Sequence, residues 1–341
     1  MSSRGYGWES ERHLKNIGRG EDPLKRQPFP RFPLAHTFSI VARDSETGEM
    51  GVAVQSHWFS VGPLVAWAEA GVGAVATQAL VEVSYGPLGL ALMRAGRPAP
   101  AALAALVTAD EGQALRQVAM VDAQGRVAAH TGEQCIADAG HEMGDGFSVQ
   151  ANMMANPSVW PAMARAYRET EGDLAGRMLA ALEAGQAAGG DIRGQQSACL
   201  LIVRAAPSGQ PWADRPFDLR VEDHPAPIQE LRRLVQLQRA YRHMNRGDEQ
   251  MGAGDIEGAL QSYSAAAALA PQVEELPFWH AIALAGLGRL EEALPIFRRV
   301  FAVNADWATL VERLPRAGLL RDDAEMIRRI QAEAPPRLPL G

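Results

Sequence analysis

Two hydroxyl residues stand on alternate positions of His36-Thr37-Phe38-Ser39-Ile40-Val41-Ala42-Arg43-Asp44, a short run with the character of a strand. Period-two alternation places Thr37, Ser39 and Val41 on one face, and Phe38, Ile40 and Ala42 on the other. A hydroxyl at the head of a strand can serve as a nucleophile, although Thr is also simply a good strand former. His36 and His57 are the histidines near this run whose ordinary pKa suits proton transfer at neutral pH. His57 follows Ser56 and is expected near Thr37 across a strand pair, or else as a half-exposed strand-end residue. Far downstream, Gly189-Gly190-Asp191-Ile192-Arg193-Gly194 holds an acid and a guanidinium in a glycine-bounded turn. Two readings of it are open. Arg193 can grip a substrate carboxylate or amide by its bidentate fork, or Asp191 caps the turn and pairs with Arg193. Gln78 and Asn152 end predicted strands, where an amide can donate to an oxyanion or merely tie down a loop. Gln196 and Ser197 enter the last strand and are expected to face the same cleft.

The elements that must position these residues follow from pattern. Residues 37–43 and 50–56 are β-like and joined by Asp44-Ser45-Glu46-Thr47-Gly48, which predicts a hairpin. A small apolar run over 71–78 predicts a central strand. Helices are expected over 86–95 and 99–108, then a second hairpin over 115–121 and 126–130 around Asp122-Ala123-Gln124-Gly125. A strand over 147–152, helices over 158–170 and 174–188, and strands over 197–204 and 217–222 complete the series. Groups of strands alternating with helix pairs predict antiparallel sheets covered by helices, an α+β class that a four-layer α/β/β/α sandwich satisfies.

After the breaker Asp223-His224-Pro225-Ala226-Pro227 the pattern is helical and repeats. Gly254, Ala259, Tyr263 and Ala266 recur 34 residues later as Gly288, Ala293, Phe297 and Val300. This period, with Pro271, resembles the tetratricopeptide helix-turn-helix repeat, in which small residues let helices approach and an aromatic fills the groove between them. Residues 306–334 read as a degenerate third unit. The division expected is a polar extension over 1–35, a sandwich domain over 36–224 and an all-α domain over 225–341.

Composition limits the partners. A formal net charge of −7 offers no cationic excess for nucleic acid or anionic lipid. No run approaches the roughly 18 apolar residues of a membrane span, and the first 35 residues contain no apolar signal core. Cys135 and Cys199 fit no metal-ligand spacing. No phosphate loop, dinucleotide fingerprint or zinc-protease motif occurs, so neither cofactor nor metal is implied. A cytoplasmic protein is the expectation.

The segments 36–44, 51–56, 70–78, 85–90, 185–198 and 218–221 together resemble a prokaryotic family of unknown function whose members open on this HTFSIVARD run. That family is assigned to the N-terminal-nucleophile hydrolase fold. The resemblance implies the four-layer sandwich, with Thr37 as nucleophile toward a small amide or peptide substrate and Gln78 or Asn152 as oxyanion donors. It also implies a homo-oligomer. Such enzymes use the nucleophile's own α-amine as base, which requires a cut between His36 and Thr37. Lys15 and Lys25 are the only lysines, so none lies in the strands after Thr37 to stabilise charge. Three functions are carried forward: an amide hydrolase centred on Thr37; a non-catalytic small-molecule-binding or interaction protein whose helical repeats recruit a protein partner; and an esterase centred on Ser39 and assisted by His57.

Overall fold

The computed structural model of the chain describes residues 34–35 and 37–335. His36, Lys15, Lys25 and nearly all of the expected extension lie outside the described residues. The architecture is mixed α/β, with two antiparallel sheets followed by a C-terminal helical region.

The chain runs β1 (Leu34–Ala35), β2 (Thr37–Arg43), β3 (Met50–Ser56), α1 (Gly62–Val65), β4 (Ala66–Glu69), β5 (Gly73–Leu80), α2 (Tyr85–Arg94) and α3 (Ala99–Ala109). It continues through β6 (Arg116–Asp122), β7 (Val127–Thr131), β8 (Gly140–Gly144), β9 (Phe147–Ala151), α4 (Val159–Glu169), α5 (Leu174–Ala187), β10 (Ser197–Val203) and β11 (Phe217–Val221). One sheet has the order β1-β5-β6-β7, with β4 also on β5; the other has the order β11-β10-β3-β2-β9-β8. The predicted β2–β3 hairpin forms, its turn closed by Asp44 Oδ1 accepting from the backbone N–H groups of Glu46 and Thr47 at 3.0 and 2.7 Å.

Alternation along each strand then fills three apolar interfaces. Val41, Val52, Val54 and Leu201 meet Ala74, Ala76, Ala119 and Val121 between the sheets. On the outer face of the larger sheet Phe38, Ile40 and Val149 pack under Met163, Tyr167, Met178 and Leu182 of α4 and α5. On the smaller sheet Val75, Val118 and Met120 pack under Leu90, Met93 and Leu103 of α2 and α3. Both faces of β2 are therefore buried, so hydroxyls on its inward face need partners.

Three of the strands depart from the sequence expectation. Leu34–Ala35, read as extension, pairs with Leu80 and Ala79 of β5. The strands β4 and β8 were not expected; both are short, and β8 (GHEMG) is an edge strand carrying two glycines.

Beyond these, α6 (Pro227–Gly252), α7 (Ile256–Leu269), α8 (Glu275–Gly286), α9 (Leu290–Val303), α10 (Asp306–Val311) and α11 (Ala324–Gln331) form the helical region. The 34-residue period is physical: α7 and α9 have 14 residues each, in register with the repeat. Gly254 and Gly288 turn the chain with φ of 79° and 82°, and Ala259, Tyr263, Ala293 and Phe297 are buried. The first turns of α6 belong to the sandwich as well, because Ile228, Leu231 and Val235 sit in the core under α5, β10 and β11.

Candidate functional site

Strand register assembles the site at the leading end of β2. Thr37 lies directly opposite Ser56 of β3, which lies opposite Ser197 of β10, so three buried hydroxyl residues stand side by side on the face toward the second sheet. One step along β2, Ser39 is opposite Gln150 of β9. Across the gap, Gln78 of β5 is opposite Gln117 of β6, itself opposite Thr131 of β7.

These side chains form one hydrogen-bonded network between the sheets. Ser39 Oγ donates to Gln78 Oε1 at 2.6 Å and accepts from Gln150 Nε2 at 2.6 Å. Ser148 Oγ donates to Gln150 Oε1 at 3.0 Å. Gln78 Nε2 donates to Thr37 O at 3.1 Å and to Gln117 Oε1 at 2.7 Å. Asn152 donates to the same two acceptors, its backbone N–H to Thr37 O at 3.1 Å and its Nδ2 to Gln117 Oε1 at 2.9 Å. Gln117 Nε2 reaches Ala151 O at 2.8 Å and Thr131 Oγ1 at 3.0 Å, and Thr131 Oγ1 meets His141 Nδ1 at 2.8 Å. Thr37, Ser39, Gln78, Gln117, Gln150 and Asn152 are all fully buried. Pairing is what lets so many polar groups sit there, since each amide left unpartnered would cost about 1–3 kcal/mol.

The network is made of neutral amides and hydroxyls. Its one titratable edge is His141, held below the usual histidine range by burial and then by the neighbouring His130. Backbone strain is concentrated beside the amides: Ala79 follows Gln78 with φ of 72°, and Met153 follows Asn152 with φ of 58°. Both are left-handed conformations that a residue with a side chain adopts only when its surroundings hold it there.

Thr37, Ser39, Gln78 and Asn152 are thus brought together. The other predicted residues occupy the loops at this end of the sheet. Register puts Ser56, not His57, opposite Thr37; His57 instead donates its backbone N–H to Asp191 Oδ2 at 3.4 Å. Of the two readings of the glycine-bounded turn, the geometry displays the cap with its ion pair. Asp191 Oδ1 accepts from the Arg193 backbone N–H at 2.9 Å and from Arg193 Nε at 3.0 Å, and Oδ2 accepts from Arg193 Nη2 at 2.6 Å. Gln196 turns away from the expected cleft, its Nε2 donating to Asp223 at the surface at 3.1 Å. Ser197 Oγ donates to Trp58 O at 2.5 Å and accepts from the Val61 N–H at 3.1 Å, pinning the loop after β3. Gln117, Gln150, Ser148 and Thr131 escaped the sequence reading. Their signal was a glutamine inside each of two strands otherwise fit for burial. Among the described residues no group of three or more His, Cys, Asp or Glu side chains could hold a metal ion.

Comparison with known proteins places this geometry in a wider set. A family profile described as a family of unknown function, DUF1028, matches residues 37–231, from Thr37 to the first turns of α6. The crystal structure of protein SPO2555 from Silicibacter pomeroyi, described with the same family, is similar to this chain at 32% identity and a TM-score of 0.54. That likeness covers 59% of this chain and 85% of the other. No curated protein matches.

Proposed function

The chain belongs to the DUF1028 family, whose function is unknown, and from the geometry at β2 we propose an amide or peptide hydrolase of the N-terminal-nucleophile type, latent in the uncut chain. In this reading the two sheets and their helices are the four-layer α/β/β/α sandwich of that fold, and Thr37 is the nucleophile. The observation that carries it is the placement of Thr37. It opens a central strand, fully buried at the junction of the two sheets, with its carbonyl held by Gln78 and Asn152.

The chemistry needs a base, and the one titratable side chain bonded into the network, His141, joins it only through Thr131 and Gln117. An α-amine on Thr37, of ordinary pKa about 8, supplies one. It arises when Thr37 Oγ1 attacks the His36 carbonyl carbon and its proton passes to the departing Thr37 nitrogen. Water then hydrolyses the resulting ester, leaving a His36 carboxylate and a free Thr37 amine. The same hydroxyl, its proton taken by that amine, next attacks a substrate carbonyl. Gln78 and Asn152 are the amide donors for the oxyanion, and they must exchange their present bonds to Thr37 O and Gln117 Oε1 to serve. Asp191 and Arg193 hold the turn that borders the substrate.

Intact mass measurement and N-terminal sequencing of purified protein, followed by assay on amide and peptide substrates, test the reading. A chain beginning at Thr37 that hydrolyses an amide, with both properties lost in Thr37→Ala, supports it; an active chain of uniformly full length sinks it.

A second reading is favoured by the saturation of Ser39, Gln78 and Gln117. Here the fold is a non-catalytic platform for a small molecule or a partner protein, recruited by tetratricopeptide-like helices in a cytoplasmic homo-oligomer. Among the described residues no helix is long and apolar enough to cross a membrane. Partner capture that depends on residues 240–334, with no hydrolysis to lose in Thr37→Ala, would favour this reading. The Ser39-centred esterase is the weakest of the three, because both sides of that hydroxyl are already engaged.

A further inference from the structure

At the opposite end of the larger sheet, about 20 Å along β10 from the Thr37 row, a cavity of about 640 Å³ opens between the sandwich and the helical region. Four guanidinium groups line it. Arg204 follows the end of β10, while Arg239, Arg242 and Arg246 come from α6. The α6 residues, with His243, have the spacing i, i+3, i+4 and i+7, which sets all four on one helical face. Only two carboxylates, Asp173 and Glu249, line the same space. The lining itself therefore carries four guanidinium groups against two carboxylates, in a chain with a net charge of −7.

The arginines are held in different ways. Arg239 is paired with Asp173, the N-cap of α5, through both Nε and Nη2. Arg204 Nε donates to Ala213 O at 2.9 Å, which fixes its fork. Arg242 lies over the Phe217 ring at 5.3 Å from the centroid. Glu49 lies near enough to Arg242 and Arg204, and Asp214 to Arg204, to interact with them electrostatically, while Arg246 adds a further cation to the lining.

We propose that this cavity binds a small polyanion, a molecule carrying two or more phosphate or carboxylate groups, shared between Arg204 of the sandwich and Arg242 and Arg246 of α6. Planar guanidinium forks suit paired oxyanion oxygens, and the volume falls within the range of small-molecule sites, about 300–1,000 Å³. The site is independent of the Thr37 chemistry. Because α6 packs on β10 and β11 and leads into the repeats, the ligand would bridge the two parts of the chain.

Titration calorimetry on the full chain tests this, with inorganic pyrophosphate and citrate as separate probes. Saturable binding of at least one is expected, the tighter of the two identifying phosphate or carboxylate as the source. Replacing Arg242→Gln together with Arg246→Gln should weaken it about tenfold or more, the scale of one charge-assisted hydrogen bond. A control with the same change of charge elsewhere, Arg298→Gln with Arg316→Gln, should bind as the parent does, with circular dichroism confirming that both variants are folded. No saturable binding of either probe, or equal weakening in the two double variants, overturns the proposal.

Discussion

Ser39 gives and receives one hydrogen bond within a fully buried layer, so its removal leaves Gln78 Oε1 and Gln150 Nε2 each one partner short. Ser39→Ala should therefore lower unfolding stability by about 1–3 kcal/mol in urea titration, although only one oxygen is lost. His141 predicts a pH effect of definite sign. Burial depresses its pKa in the folded state below the ordinary 6.5, so the unfolded chain takes up a proton that the folded one refuses. Its contribution is complete above pH 6.5 and is lost as pH falls through the depressed folded-state value. Denaturant midpoints at pH 7.5 and 5.5 should differ less in His141→Gln than in the parent. The thiols behave similarly: burial raises Cys135 to about 11 and Cys199 to about 12, so both should resist a thiol reagent at pH 8 until the chain unfolds. At this scale the alternation of Thr37 and Ser39 was legible because it is local to one strand. Gln117 and Gln150 were not, because their roles depend on a second sheet and on cross-strand register. Gln196 misled for a related reason: it precedes β10, where alternation no longer fixes the direction of a side chain.

Helix approach sets the limits among the elements. A Cβ on Gly247 of α6 would come within 2.6 Å of the Tyr263 ring of α7, and that ring is tied by its hydroxyl to Asp248 Oδ1 at 2.7 Å. Alanine there gains up to about 1 kcal/mol of helix propensity but meets an overpacking cost of about 1–3 kcal/mol. Gly247→Ala should thus melt at lower temperature than the parent. Gly286→Ala, whose Cβ would meet nothing within 4 Å, should be neutral or slightly stabilising by the same measurement. The spacing of Gly254, Ala259 and Tyr263 exposed α7 and α9 to sequence reading, since small and aromatic residues recur wherever two helices touch. The strands β4 and β8 carry no such mark. Each gains its place from a neighbour, β5 for one and β9 for the other, not from its own composition.

For the whole molecule, the boundary between sandwich and helices is not a clean seam. Ile228, Leu231 and Val235 of α6 fill the sandwich core, each contributing about 1.5–3 kcal/mol of burial. A fragment ending at residue 225 should aggregate or fail to fold, whereas one ending at residue 252 should remain soluble and cooperative in thermal denaturation. The strand composed of Leu34 and Ala35 has a mechanical meaning as well. It belongs to one sheet while Thr37 begins a strand of the other, so a single residue joins the two. Successive Cα atoms are 3.80 Å apart, less in total than the roughly 10 Å between packed sheets. The sheets must therefore approach each other closely where Ala35 leads into Thr37. Were the chain cut before Thr37, as the proposed reading requires, Leu34 and Ala35 would be held to β5 by strand pairing and no longer by covalent continuity with β2.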